Sequence, residues 1–412
     1  MAPMVFKSTT GSGLARGLPE AAAWGYPGPE GLFAPFGEGD IRSAVYAPEA
    51  SFSETAASLL AAMFTEDLDP VSSERIAERA FPHMPAIYHA DEEIPLVDLA
   101  AGPTGSSADY GAALLVELLG LRPRTERPIL IVAPEGPWGA AIVEAASDRS
   151  SLSVLLLCGE EGARGVKPHR LLREGGRTLL LGLRGSDLRR LEFLRSLSGR
   201  RLADFDLVVS GPGNPVELSV RIMVQAATFS ELHHGSSGEI FAALPLESSL
   251  SLASGLWAWR LGLPLTGLLV PTLDGPESGA QAETGESGAF ELLIERFIQE
   301  RSGLLGSLLR YQPVSEVEAL AARESFREAG GPPLDRVTSF ALAAAKKSLA
   351  PRLRGHSRIV VHRYAHPFWD RSANWRGEER PAGLDSALAG ARLDALADPE
   401  TAALEAILAR LV

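Results

Sequence analysis

Residues 99–119 read LAAGPTGSSADYGAALLVELL, and the rest of the chain is organised around this stretch. Shortly before it, at Pro95, the pattern of the sequence changes. Upstream, apolar residues recur at helical spacing after Ser51, whereas downstream short apolar runs alternate with amphipathic segments. This alternation of strands and helices predicts an α/β fold.

The downstream strands are predicted from near-continuous apolar runs, which are typical of parallel strands buried on both faces. They are Ile129 to Ala133, Val154 to Leu157, Thr178 to Leu183, Leu207 to Ser210, Glu239 to Leu244, Leu265 to Val270 and Arg358 to His362. The predicted helices are Trp138 to Ala146, Pro168 to Glu174, Ser186 to Ser196, Val216 to His233, Ser249 to Leu261, Gly288 to Ser302, Ser315 to Ala329, Thr338 to Leu349 and Glu400 to Leu411. The acidic, Gly-rich segment Thr272 to Ser287 is predicted to be a loop, long enough to act as a lid or to cross a cleft.

This pattern predicts three regions. Residues 1–98 form an N-terminal loop-rich and helical lobe, which includes a helix at Ser73 to Phe81. Residues 99–275 form the α/β core, with a small βαβ lobe at about 125–212. Residues 276–412 form a C-terminal helical region that completes the large lobe.

Composition excludes several classes of function. The 412 residues carry a net charge of −13 without a basic cluster, so we expect no nucleic-acid partner. The single cysteine, Cys158, excludes an internal disulfide and is expected to be a buried structural thiol. The most apolar region, 250–273, is interrupted by Arg260 and Pro264, which argues against a membrane span. With no signal-peptide pattern at the N-terminus, we expect a cytoplasmic protein.

Two short sequences inside residues 99–119 resemble the ends of one known motif. GPT at 102–104 and DYG at 109–111 are similar to the motif GPT-LAFKD-FG of threonine synthases. These are pyridoxal-phosphate (PLP) enzymes of the tryptophan-synthase-β fold type, also called fold type II. The resemblance implies open, mostly parallel, twisted sheets in two lobes. In this family the motif lysine forms the internal aldimine with PLP, and its position holds Ala108.

No lysine occurs between Lys7 and Lys167, so a shift of the alignment does not restore this residue.

A second loop resembles the family's TSGDTGAA motif. The strand from Ile129 runs into APEGPWGAA at 133–141, which keeps two glycines and the alanines. The hydroxyl residues that hold substrate groups in the family are replaced by Ala133, Pro134 and Trp138 or displaced by one residue.

The third loop, PLESSLS at 245–251, aligns with the family's phosphate cradle PSGNFGN. Phosphate cradles use glycine because its missing side chain lets backbone amides approach the anion, and both glycines are absent here. Glu247 adds a negative charge, which at ~4 Å repels each unit of phosphate charge by on the order of 4 kcal/mol. Glu247 and Ser249 are therefore degenerate equivalents of cofactor-binding residues.

Further matches occur in the family's order over nearly the whole chain. FKST at 6–9 and PEGLFAP at 29–35 resemble N-terminal segments of the family, and Arg221 belongs to a helix that follows its asparagine-rich motif. AHP at 365–367 matches a C-terminal motif, but Tyr364 replaces the threonine expected beside the pyridine nitrogen.

We therefore predict no catalytic residue for PLP chemistry. Candidate residues of the former cleft are Asp109, Glu135, Trp138, Arg221 and His366. We expect large side chains at 138, 246 and 364 to fill it at least in part. We predict no metal site, because His233 and His234 suit a helix C-terminus, and the spacing of His362 and His366 does not suit ligands at a strand end.

The leading hypothesis is a threonine-synthase-like pseudoenzyme that has lost PLP chemistry, needs no cofactor, and binds a protein partner or a small ligand. Neither a nucleic acid nor a membrane is an expected partner, and a homo-oligomer is an open alternative. The alternative function is an active enzyme. It would convert O-phosphohomoserine to threonine with an unrecognised lysine, or carry out a lysine-independent reaction in the same cleft.

Overall fold

The structure is a computed structural model, which describes residues 4–11, 15–28, 31–37, 39–46, 50–82, 84–122, 127–159, 178–200, 205–211, 213–233, 238–246, 249–274, 309–349 and 357–370, individual positions within 294–308, and a strand at 395–397. The predicted helices 168–174 and 400–411 lie outside these residues, as do Glu247, His234 and most of the predicted loop 272–287. The predicted helix 288–302 is described only at individual positions.

In chain order the strands are β1 (Val5–Ser8), β2 (Phe33–Phe36), β3 (Ala86–Asp91), β4 (Ile94–Asp98), β5 (Ile129–Pro134), β6 (Leu152–Cys158), β7 (Thr178–Leu183), β8 (Asp206–Val209), β9 (Glu239–Ala243), β10 (Gly267–Leu273), β11 (Leu309–Val314), β12 (Ser357–Arg363) and β13 (Ala395–Ala397). The helices described in full are α1 (Leu18–Trp24), α2 (Arg42–Val45), α3 (Phe52–Met63), α4 (Pro70–Ala80), α5 (Ala108–Leu119), α6 (Pro137–Ala146), α7 (Asp187–Ser196), α8 (Pro215–His233), α9 (Ser249–Arg260), α10 (Glu316–Glu328) and α11 (Arg336–Ser348).

The smaller of the two main sheets has five parallel strands in the order β13-β7-β6-β5-β8. Every residue of β6 and β7 is buried, as the continuous apolar runs predicted. Helices α6 and α7 connect or follow these strands, so this part of the chain has the predicted βαβ organisation.

The larger sheet has six strands in the order β11-β10-β9-β12-β4-β3. All neighbouring strands are parallel except β3, which pairs antiparallel with β4 at one edge. The predicted α/β class with mostly parallel sheets is therefore confirmed. Helix α5 packs against α4, α6 and α8, so the stretch 99–119 lies at the centre of the helical packing.

The N-terminal region contains more regular structure than its Gly- and Pro-rich sequence predicted. Strands β1 and β2 form an antiparallel ribbon. In the chain, α1 lies between these two strands and α2 follows β2. Helix α3 begins with a capping box between Ser51 and Glu54, whereas α4 begins at Pro70, earlier than predicted, because Asp69 accepts a hydrogen bond from the Ser72 amide.

Three strands of the larger sheet were not predicted. Strand β4 is wholly buried but contains Pro95, and β11 is an edge strand with mostly exposed or half-exposed residues, so neither shows the apolar run used for prediction. Strand β3 is similarly exposed. The proposed boundary at residue 98 remains a prediction, although β3 and β4 before it pair within the same sheet as β12.

A buried ion pair joins β4 to β12 at their carboxyl ends. Arg363 Nη1 lies 2.6 Å from Asp98 Oδ1, and both side chains are almost fully buried. Asp98 also accepts a hydrogen bond from the Ala100 amide, and Arg363 Nε donates to the Pro333 carbonyl. The pair thus fixes the point where the chain leaves the sheet and enters the loop before α5.

Removing one partner of this pair should strongly destabilise the protein. We expect Asp98→Ala to lower the free energy of unfolding by about 3–5 kcal/mol, because Arg363 is left as a buried, uncompensated charge. Urea denaturation measures the change. Replacing both residues in Asp98→Ala/Arg363→Met should recover much of the loss, and Asp40→Ala, which breaks the exposed Asp40–Arg42 pair, should have a far smaller effect. Equal losses for Asp98→Ala and Asp40→Ala would contradict this assignment.

Candidate functional site

The loop between β4 and α5 is held against the segment that follows β12. The amide of Leu99 donates to the Arg363 carbonyl, and the amide of Ser107 donates to the Tyr364 carbonyl at 2.7 Å. Further along, His366 N donates to the Gly105 carbonyl at 2.8 Å. These bonds place the N-terminus of α5 directly beside residue 364.

Asp109 stabilises the GPT turn before α5. Its carboxylate accepts hydrogen bonds from the Thr104 amide and the Thr104 hydroxyl, at 3.1 and 2.8 Å. A side chain at Gly102 would meet this carboxylate, since a Cβ there would lie 2.3 Å from Oδ2. Burial raises the pKa of Asp109 to about 6, against the lowering effect of the Thr104 hydrogen bonds. Asp109 therefore shapes the turn.

A small cavity lies between α5, α8 and the residue after β12. Its volume is about 10 Å³, enough for roughly one water molecule. It is lined by Leu99, Ser107, Tyr110, Gly111, Glu217, Val220, Arg221, Val224 and Tyr364.

Arg221 is the cationic group of this cavity. Its guanidinium carbon lies 4.1 Å from the centre of the Tyr364 ring, and Nη1 donates to the Ser251 hydroxyl at 2.8 Å. Nη2 lies 3.5 Å from Glu217 Oε1, one helical turn away on α8. Burial raises the pKa of Glu217, although Arg221 acts in the opposite direction.

His362 lies beside this group on β12. Its side chain is only 3% exposed, and its ring centre is 5.9 Å from that of Tyr364. Burial, with the nearby positive charge of Arg221, lowers the pKa of His362 to about 4, so the imidazole is neutral at pH 7. Its Nε2 atom has no hydrogen-bond partner among the described residues.

The three large side chains expected to fill the cleft are all buried. Trp138 donates from Nε1 to the Ser210 hydroxyl at 3.0 Å, and its ring lies against α5 so closely that a Cβ at Gly111 would be 2.7 Å from Cζ3. Tyr364 forms a wall of the cavity, whereas Leu246 is buried in the apolar cluster of the larger sheet.

Of the other predicted cleft residues, Arg221 lines the cavity and three do not. Besides Asp109, Glu135 accepts a hydrogen bond from the Gly159 amide and lies 3.4 Å from Arg190 Nη2, at the smaller sheet. His366 Nδ1 accepts a hydrogen bond from the Phe368 amide and caps a short 3-10 turn. These three residues do not line the small cavity, and their place in the cleft stays a prediction. Ser249 begins α9, and Glu247 lies outside the described residues.

Ala108 is the first residue of α5 and is buried. None of the lysines in the described part of the chain lines the cavity. Lys7 packs over the Phe36 ring, Lys346 contacts Ser325, and Lys347 pairs with Glu318; Lys167 lies outside the described residues.

Sequence reasoning missed Glu217, Ser107 and His362, and gave Tyr110 no role. The spacing of Glu217 and Arg221, four residues apart on one helix, is a signal that could have identified the first of these. The position of His362 beside Arg221 depends on the packing of β12 against α8, for which the sequence contains no local signal.

The two mostly parallel sheets, with the start of α5 beside the carboxyl end of the larger one, define the fold as that of the fold type II PLP enzymes. More particularly, it is the fold of threonine synthases. The Escherichia coli threonine synthase matches with a TM-score of 0.75 and 17% identity over 99% of this chain and 100% of that chain. The PLP-bound threonine synthase from Brucella melitensis matches with a TM-score of 0.72 and 17% identity over 99% of each chain.

The yeast threonine synthase has a TM-score of 0.70 and 14% identity over 98% of this chain and 99% of that one. No protein-family model and no curated protein matches the sequence. At these identities the likeness concerns the fold.

The expectation that no cofactor is needed was wrong for this fold. The Brucella melitensis structure, which matches 99% of this chain, is a PLP-bound threonine synthase, so the chain adopts a fold that carries PLP. Ala108, the first residue of α5, has no amine for a Schiff base, so it supplies no covalent anchor for PLP, and we assign no step through PLP.

In the described part of the chain, no three His, Cys, Asp or Glu residues are grouped as metal ligands. None of the helices described has the length and apolar character needed to cross a membrane.

The buried carboxyl of Asp109 should make stability depend on pH. Because its pKa is higher in the folded protein than the ordinary value of 3.8, the protonated form favours folding, and this contribution is lost as the pH rises through about 6. Relative to Asp109→Asn, the wild-type free energy of unfolding should fall by roughly 2 kcal/mol between pH 4 and 6. Urea denaturation at several pH values measures the difference.

Asp40→Asn provides the control, since the bonds from Arg42 lower the pKa of Asp40 to about 2, below this window. Parallel stability curves for the wild type and Asp109→Asn would show that Asp109 does not titrate as described.

Proposed function

We propose that the protein is a threonine-synthase-like pseudoenzyme, which keeps the fold of threonine synthases but does not convert O-phosphohomoserine to threonine. It acts by binding a small ligand or a protein partner. The proposal includes a cytoplasmic location and excludes nucleic acid and membranes as partners.

The observation that carries the proposal is Ala108 at the start of α5. The turn before it is kept in place by Asp109 and Thr104, and the loop is hydrogen-bonded to residues after β12, so the scaffold for a reactive side chain is intact. The methyl group of Ala108 can neither form a Schiff base nor transfer a proton. Among the described residues, no lysine elsewhere in the fold reaches the cavity to replace it.

Two further features support a binding role. The side chains of Trp138 and Tyr364 are buried where smaller residues are expected in the family, and Tyr364 lines a cavity of about 10 Å³. The cavity nevertheless keeps charged and hydroxyl groups at its wall, including Arg221, Glu217 and Ser107. Polar groups retained at a buried cavity are typical of a ligand site.

The proposal predicts no turnover of O-phosphohomoserine. With PLP added, phosphate release by the purified full chain should equal that of a protein-free control, at least about 10⁶-fold below the rate of an enzyme. The Escherichia coli threonine synthase is the positive control, and its variant with the PLP lysine replaced by alanine defines the background. The proposal concerns turnover and is independent of whether PLP binds.

Turnover above this background would contradict the proposal and support an active threonine synthase. Loss of that turnover in Lys167→Ala would then identify the lysine responsible, since Lys167 is the lysine that lies outside the described residues. Turnover retained in Lys167→Ala would point to a lysine-independent reaction.

A further inference from the structure

We propose that Arg221 binds the carboxylate group of a small ligand, through the edge of its guanidinium group that carries Nε and Nη2. The inference rests on the proposed binding function and gives the chemical class of the ligand.

The orientation of Arg221 is fixed on two sides. Its guanidinium carbon lies 4.1 Å from the centre of the Tyr364 ring, and Nη1 donates to Ser251 on α9 at 2.8 Å. Contacts from α9 and from the residue after β12 therefore hold the guanidinium plane without using the opposite edge. A guanidinium held in this way is pre-organised, so little side-chain freedom is lost when a ligand binds.

The remaining edge is incompletely satisfied. Nε of Arg221 is buried and has no hydrogen-bond partner among the described residues, and Nη2 has only a long contact of 3.5 Å to Glu217. A buried N–H group without a partner is unfavourable, and one on a cation more so. Two parallel N–H groups on one edge of a guanidinium match the two oxygens of a carboxylate.

The surroundings supply further hydrogen-bonding groups. Ser107 and Tyr110 line the cavity from α5 and the turn before it. Behind Tyr364, the neutral imidazole of His362 has an Nε2 atom that no described residue contacts by a hydrogen bond, although the side chain is 3% exposed. Arg221 and His362, on the two sides of Tyr364, thus each have a buried nitrogen without a hydrogen-bond partner among the described residues.

Glu217 already occupies part of the space that the ligand needs. The Glu217 carboxyl lies on the Nη2 side of Arg221, and the cavity of about 10 Å³ holds no more than about one water molecule. A ligand must therefore displace the Glu217 carboxyl. Burial raises the pKa of Glu217, which makes the neutral form accessible. A protonated Glu217 can donate a hydrogen bond to the bound carboxylate instead of repelling it.

The charge balance favours a carboxylate over a phosphate. Arg221 is the cation among the residues that line the cavity, and burial raises the pKa of Glu217 beside it, which favours the neutral carboxyl. A single guanidinium can neutralise a carboxylate, whereas a phosphate dianion would retain uncompensated negative charge in a buried site.

The test uses sodium acetate as the probe and the full chain as the protein. Thermal unfolding is followed by circular dichroism over a range of acetate concentrations, with sodium chloride added to keep the ionic strength constant. A ligand that binds only the folded state raises the melting temperature in a saturable way. We expect saturation with acetate for the wild type, and no comparable effect with inorganic phosphate.

Two variants at the site should change the acetate midpoint in opposite directions. Arg221→Lys should weaken binding about tenfold or more, because an ammonium lacks the paired N–H groups. Glu217→Gln should strengthen binding about tenfold, because the amide is neutral at every pH and never competes as an anion for Nη2 of Arg221. A gain in affinity cannot arise from misfolding. Arg190→Gln, which alters an ion pair away from the cavity, should leave the midpoint unchanged.

The inference is overturned if acetate has no saturable effect on the wild type or on Glu217→Gln, if Arg221→Lys responds like the wild type, or if phosphate binds in preference to acetate. Turnover of O-phosphohomoserine would overturn the proposed function instead, and it is measured separately. Failure of the carboxylate-binding inference can therefore be distinguished from failure of the proposed function.

Discussion

Parallel pairing of β4 with β12 brings together two parts of the chain that are more than 250 residues apart in sequence, and a buried ion pair holds them there. Because Asp98 and Arg363 lie at the carboxyl ends of these strands, the segments that follow must start side by side. Their hydrogen bonds then place the first residue of α5 next to Tyr364. The cavity and the position of Ala108 both depend on this arrangement.

The sequence predicted those parts of the fold that have strong local signals. Strands such as β6 and β7 are buried on both faces, so their apolar runs identified them. Strand β11 lies at a sheet edge and β4 contains a proline, so local patterns did not reveal them. At the site, Arg221 and Tyr364 were predicted. Glu135 and His366 were assigned to the cleft because a sequence does not show which neighbour a polar side chain will contact, and both make structural hydrogen bonds.

The start of α5 is shaped by hydrogen bonds within its own loop. Asp109 and Thr104 form the turn, and Ala108 is the first residue of the helix. Nearby, Tyr364 packs against the Arg221 guanidinium, whose Nε has no hydrogen-bond partner among the described residues, and both residues line the cavity. Polar groups of this kind are costly to bury unless they are paired, so their retention is informative about function. The proposed carboxylate recognition therefore depends on Arg221.

The close contact between Trp138 and Gly111 also limits how the sequence can change over time. A side chain added at 111 would collide with the indole ring, so this position can accept one only after 138 has become smaller. Shrinking Trp138 first would leave a void and an unpaired Ser210 hydroxyl in the interior. Each single step is unfavourable, although the double change is sterically acceptable. Because of this epistasis, successive point mutations cannot easily replace the Trp138–Gly111 pair.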